Sequence, residues 1–131
     1  MGFLKDFFKA DPEVDFQMAL RAETIEGNWQ KAAWLYEKAA QRNHPKAEYF
    51  LALLYLKGRR GIDKDTKKGL ALMIKSASQG FYKAQYLLSQ MYLKGAGVRQ
   101  NVAEGNRWMS KATGQGYELS QLSSLDSELE L

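Results

Sequence analysis

Lys46-Ala47-Glu48-Tyr49-Phe50-Leu51-Ala52-Leu53-Leu54-Tyr55-Leu56-Lys57-Gly58 decides the fold, because it returns 37 residues later as Lys83-Ala84-Gln85-Tyr86-Leu87-Leu88-Ser89-Gln90-Met91-Tyr92-Leu93-Lys94-Gly95. The agreement continues in register: Gly61-Ile62 against Gly97-Val98, Asp65 against Asn101, Gly69 against Gly105, Lys75 against Lys111, and Gln79-Gly80-Phe81 against Gln115-Gly116-Tyr117. From Gly61 onward the offset is 36, since Arg59-Arg60 in the first loop stands against Ala96 alone in the second. A fixed period of this length is the mark of stacked supersecondary units, none of which can bury its apolar face alone.

Each unit reads as helix–loop–helix. Ala47, Leu51, Leu54 and Tyr55 fall on one helical stripe. Gly58 stops the first helix, where a positive φ costs glycine little. Asp65 caps the second helix through its carboxylate, and Leu70, Ile74 and Ala77 are expected to form its buried face. Small residues (Ala47, Ala52, Gly69 and Ala77, then Ala84, Ser89, Gly105 and Ala112) allow close helix approach.

A shorter unit precedes these. Asp11-Pro12-Glu13 combines a capping carboxylate, proline at the first helical position and an acid near the positive helix end. Phe16, Ala19 and Leu20 supply an inner face. Asn28 caps a second helix expected to run to about Gln41, with Trp29, Ala32, Ala33, Tyr36, Ala39 and Ala40 buried. Pro45 opens the next helix. At the far end, Leu119, Leu122, Leu125 and Leu129 suit a terminal helix from Glu118 to about Ser127, covering the last open face as stacked repeats require.

These residues resemble the Sel-1-like repeat family, a branch of the tetratricopeptide-like α-solenoids. The family's unit looks like A-x-x-x-L-G-x-x-Y-x-x-G-x-G-V, then an acidic or amide cap, then A-x-x-W-x-x-K-A-A-x-Q-G. The first half is matched by Ala47, Leu51, Tyr55, Gly58, Gly61 and Ile62, and again by Ala84, Leu88, Tyr92, Gly95, Gly97 and Val98. The second half is matched by Lys75, Ala77, Gln79 and Gly80, then by Trp108, Lys111, Ala112, Gln115 and Gly116. Ala52 and Ser89 replace the helix-packing glycine, and Leu72 replaces the tryptophan. Residues 12–43 look closer to a tetratricopeptide unit. The resemblance implies an all-α right-handed α/α superhelix of about seven helices in a single domain. Its parts are a tetratricopeptide-like unit at 10–44, Sel-1-like units at 45–81 and 82–117, and a capping helix with tail at 118–131. It also implies a non-catalytic adaptor or scaffold for protein partners, as in bacterial secretion, envelope and signalling assemblies.

Composition agrees with that class. The chain has 131 residues, no cysteine and one histidine, which excludes disulfides, thiolate chemistry and a zinc site of Cys or several His. No acid–base–nucleophile set converges, so no enzyme and no cofactor are expected. His44, between Asn43 and Pro45, reads as a turn residue. The glycine-containing loops lack the Lys-Ser/Thr ending of a phosphate loop. No segment of about 18 apolar residues exists to span a membrane. Met1 to Phe8 makes a poor signal peptide, so the default location is cytoplasmic. Phe3, Leu4, Phe7 and Phe8 share a face and are expected to cap the first helix.

The formal net charge of +4 hides a division. Residues 28–117 carry sixteen bases and five acids, while residues 1–27 are net −3 and residues 118–131 net −4. A basic body between acidic ends favours acidic partners; the alternative is a solubilising surface.

The first helix of each unit lines the concave side in this architecture. The expected groove positions are Gln17, Arg21 and Thr24, then Lys46, Tyr49, Leu53, Leu56 and Lys57, then Lys83, Tyr86, Gln90, Leu93 and Lys94. The repeated Lys-x-x-Tyr pairs a point charge with a rigid amphipathic ring, suited to an extended peptide bearing carboxylates. The alternative is that Tyr49 and Tyr86 fill gaps between helices. A polyanion such as nucleic acid is the second candidate partner, through Lys57, Arg59, Arg60, Lys64, Lys67 and Lys68, a cluster diluted by Asp63 and Asp65. The acidic tail from Asp126 to Leu131 either docks on the basic groove of another copy, giving weak self-association of a monomer, or frays.

Overall fold

The computed structural model describes residues 11–129. The segment expected to cap the first helix, with Phe3, Leu4, Phe7 and Phe8, lies outside the described residues, as do Glu130 and Leu131. Among the described residues, six α-helices of 12 or 13 residues are present: α1 (Pro12–Thr24), α2 (Trp29–Ala40), α3 (Pro45–Lys57), α4 (Thr66–Ser78), α5 (Tyr82–Lys94) and α6 (Val102–Thr113). A single turn, α7 (Leu119–Leu122), leads into a 3₁₀ segment (Ser123–Leu129). The only extended pairing among the described residues is one isolated bridge, Arg59 with Ile62. Each helix packs on its neighbours in sequence, so the pairs stack in order.

The helix starts follow from side-chain chemistry. Asp11, Asn28, Asp65 and Asn101 each accept a backbone N–H of the first turn, at 2.9 to 3.0 Å. These bonds satisfy donors that a helix end otherwise leaves orphaned. His44 is a fifth cap: its Nδ1 accepts from the Ala47 amide at 3.1 Å, and its ring stacks on Phe16. The two long loops close identically, Asp65 N–H donating to the Tyr55 carbonyl and Asn101 N–H to the Tyr92 carbonyl. Gly58 and Gly95, at φ 71° and 70°, make the stops that precede those loops.

Two contiguous cores run through the stack, one around Phe16, Tyr36 and Leu51, the other around Met73, Leu87, Leu88 and Trp108. The helix α3 is buried on nearly every side, since it packs between α2 and α4, and its last residue, Lys57, pairs with Glu128 of the C-terminal segment. The buried face of α4 differs from the expected one. Gly69, Met73, Ser76 and Ala77 are the buried residues, while Leu70 and Ile74 are only half-buried at the core's margin. The cause is the close crossing at Gly69, which turns that side of the helix onto α3. The expected terminal helix is also altered. After Leu122 the chain tightens to 3₁₀, and the hydroxyls of Ser123 and Ser124 donate back to the carbonyls of Ser120 and Gln121.

Candidate functional site

The first helices α1, α3 and α5 together build one face. Its half nearest the starts of α3 and α5 is an open depression of ≈ 340 Å³. Phe16, Leu20, Phe50, Phe81 and Tyr82 wall it, and Gln17, Lys46 and Lys83 stand at its edge. Tyr82 lies flat on Tyr117, with ring centroids 3.7 Å apart, fixing one wall. Gln17 is turned partly outward, its amide donating to Glu13 at 2.9 Å. That bond, and then His44, hold the Glu13 carboxyl below its usual range.

The other half of the face is covered. The 3₁₀ segment lies across α5, with Leu122 fully buried and Leu125 and Leu129 packed beside it. The Tyr86 hydroxyl donates to Asp126 Oδ1 at 2.5 Å, and Lys57 Nζ donates to Glu128 Oε2 at 2.9 Å. The Lys57 side chain is only 14% exposed. Burial, and then the Asp126 bond, push the Tyr86 hydroxyl well above its usual range; burial, and then the nearby Glu128 charge, do the same for Tyr49. The described carboxylates of the acidic tail, Asp126 and Glu128, therefore sit on the basic face of their own chain.

The expected groove positions divide accordingly. Lys46, Lys83 and Gln17 surround the open depression. Lys57 and Tyr86 hold the tail's carboxylates. Tyr49 and Tyr86 are 2% and 4% exposed and belong to the core cluster. Leu53 is buried among them. Leu56 and Leu93 point elsewhere: they pack against Gly69 and Gly105 of their own unit's second helix. Gln90 is half-buried and Lys94 exposed, each at the rim of α5. Arg21 lies with Val14 and Met18 on the end of the stack, and Thr24 is exposed with its hydroxyl bonded to the Leu20 carbonyl. The two α1 residues thus stand off the depression because α1 ends the described stack and turns one side outward.

The basic loop is partly engaged within the fold. Besides Lys57, the Arg59 guanidinium lies 5.1 Å from the Trp29 ring centre and the Lys68 ammonium 4.5 Å from that of Tyr55. Both geometries are cation–π contacts.

One repeated feature was not singled out in the sequence. Asp15, Glu48 and Gln85 occupy equivalent positions and are all buried. Lys38 lies 3.7 Å from Asp15; Lys75 lies 3.3 Å from Glu48, and Gln79 donates to it; Gln115 donates to Gln85 at 2.7 Å. Each is a polar clamp between the first helix of a unit and the second helix or the turn that ends it. The signal available was the register itself, which sets Glu48 against Gln85.

Burial is the largest influence on Glu48 and raises its carboxyl above the usual 4.5, against the opposing pull of Lys75 and then Gln79. The folded chain thus holds this proton more tightly than the unfolded chain. The contribution is full below pH 4.5 and declines as pH rises through the raised folded value. A Glu48→Gln chain, with the amide that the next unit already carries, lacks this loss. Its melting temperature relative to the parent is expected to climb across that window and then level off. Thermal unfolding from about pH 4 to about pH 8 checks it, and a difference that does not vary with pH would refute the assignment.

A regular stack of helix pairs, closed by a terminal segment, defines an α-solenoid repeat protein. A family model described as Sel1 repeat matches residues 25–44, 45–81 and 83–117, and the chain belongs to that family. The match extends into the first unit, beyond the two units whose motifs are plain in the sequence. The crystal structure of a Sel1 repeat protein from Oxalobacter formigenes is similar at a TM-score of 0.75 and 30% identity, over 82% of this chain and 83% of that one. A protective antigen of uropathogenic Escherichia coli strains, displaying an SLR fold, aligns at a TM-score of 0.53 and 24% identity. That alignment spans 91% of this chain and 32% of the antigen, and it shows the fold alone. Among curated proteins, none matches this chain. Sel1 repeat proteins are in general non-catalytic scaffolds for protein–protein interaction. Among the described residues, no helix is long and apolar enough to cross a membrane.

Proposed function

We propose that this chain is an adaptor that binds an extended acidic segment of a protein partner along the α1–α3–α5 face. The observation that carries the reading is that this face already holds carboxylates, Asp126 on Tyr86 and Glu128 on Lys57. Beside them lies an aromatic depression edged by Lys46 and Lys83. Aromatic walls supply contact area at low entropic cost, and the lysines supply attraction and register. The polyanion reading draws less support, because Lys57, Arg59 and Lys68 are each engaged within the fold.

The test uses a labelled oligoglutamate peptide. Reversing both edge lysines (Lys46→Glu with Lys83→Glu) is expected to weaken its binding about tenfold at low salt, equivalent to ~1.4 kcal/mol. The far-ultraviolet circular dichroism should be unchanged, since Lys46 is exposed and Lys83 half-exposed. Equal affinity of the two chains, with the fold intact, refutes the reading.

A further inference from the structure

We infer that the segment Leu125-Asp126-Ser127-Glu128-Leu129 is a resident stand-in for the partner, and that the partner's docking motif has the same chemistry: two aliphatic residues bracketing two carboxylates, Leu-acid-x-acid-Leu. The inference rests on the acidic-segment reading above and names its ligand.

The terminal segment has two parts with different chemistry. Leu122 is fully buried and completes the core of the last unit, as a cap must. Beyond it the chain leaves α-helical geometry, and Leu125 and Leu129 are only half-buried. What fixes this second part is polar and specific, the Tyr86–Asp126 hydrogen bond and the Lys57–Glu128 ion pair. Apolar packing alone would close the stack without carboxylates. A short 3₁₀ run with poorer hydrogen-bond geometry is also easier to lift than a full helix.

Lifting it bare is unfavourable, since Tyr86 and Lys57 would lose their carboxylate partners and Leu125 and Leu129 their packing against the core. A ligand that restores the same contacts removes that penalty. The surface therefore exchanges one acidic, leucine-bearing segment for another, and the resident segment sets the threshold that a partner must exceed. A partner's apparent affinity is lowered by the fraction of time the resident segment is seated.

The test keeps the full chain and uses a fluorescein-labelled peptide of the sequence of residues 119–131. Asp126→Asn with Glu128→Gln unseats the resident segment without removing Leu122. The doubly substituted chain is expected to bind the peptide at least about fivefold more tightly than the parent. Adding Lys57→Glu to it should abolish that gain. A peptide carrying Asn and Gln at the two acidic positions should not bind. No gain from unseating the segment overturns the inference. If oligoglutamate binding still depends on Lys46 and Lys83 in that case, the acidic-segment reading survives by itself. A concentration-dependent dimer of the parent chain in sedimentation, lost with the same two tail substitutions, would assign the surface to a second copy and equally overturn the inference.

Discussion

Replacing Gly69 by valine is expected to lower the unfolding free energy by about 3 kcal/mol, at the upper end for overpacking a close contact. A Cβ at this position would stand 2.7 Å from Leu56 Cγ and 3.1 Å from the Ala52 carbonyl oxygen. Leu56 is fully buried and has no open space to turn into. The Ala52 oxygen is backbone and moves only if α3 moves. The two helices of the unit must therefore separate, and every contact along the crossing weakens. Gly105 meets the same geometry, 2.6 Å from Leu93 and 3.1 Å from the Ser89 oxygen. In a chain of this size the loss corresponds to a fall of about 10 °C in melting temperature, readable by circular dichroism. A melting temperature within about 2 °C of the parent would contradict the close crossing.

Truncating Tyr49 to alanine is expected to cost about 4 kcal/mol, in the range for large buried aromatics. Its ring is edge-on to Phe50, centroids 5.1 Å apart, and edge-on to Phe81 at 5.2 Å. It thereby ties α3 to Phe81, the residue just before α5, across the junction between units. The cavity would open in the same core cluster against which Leu125 and Leu129 pack. Tyr49→Phe keeps the ring and is expected to stay within about 0.5 kcal/mol, since among the described residues the hydroxyl makes no hydrogen bond. Urea unfolding of the two variants separates ring packing from hydroxyl chemistry. Equal losses would assign Tyr49 a polar role instead.

Much of this architecture is legible in the sequence. The register of the two long units fixes which residues are equivalent, and the caps at Asp11, Asn28, Asp65 and Asn101 need only local geometry to predict. The direction of individual side chains is harder to read. Leu56 and Leu93 lie on the first helices, yet they face the glycine of the following helix, a consequence of crossing distance that hydrophobic periodicity does not encode. A helix buried on nearly all sides, as α3 is, carries buried residues well beyond the stripe of Ala47, Leu51, Leu54 and Tyr55, so that stripe alone does not choose a groove side. For α4 the close crossing at Gly69 again decides, setting Met73 and Ser76 rather than Leu70 and Ile74 inside.

The tail shows a different limit. Its acidity and the body's basicity announce an attraction, but complementarity is identical whether the two surfaces meet within a chain or between chains. Only the path from Tyr117 through α7 to Glu128, short enough to return across α5, brings Asp126 to Tyr86 and Glu128 to Lys57. The split of the expected groove into an open half and a covered half is likewise a property of that path.

The most direct measurement is the affinity of the parent and the Lys46→Glu/Lys83→Glu chain for the same labelled oligoglutamate, followed across a salt series. With the basic face as the binding surface, the parent binds more tightly by about tenfold at low salt, and the advantage shrinks as the Debye length falls to about 8 Å near physiological ionic strength. Equal affinities at every salt concentration, with both chains folded, would place the interaction elsewhere on the solenoid.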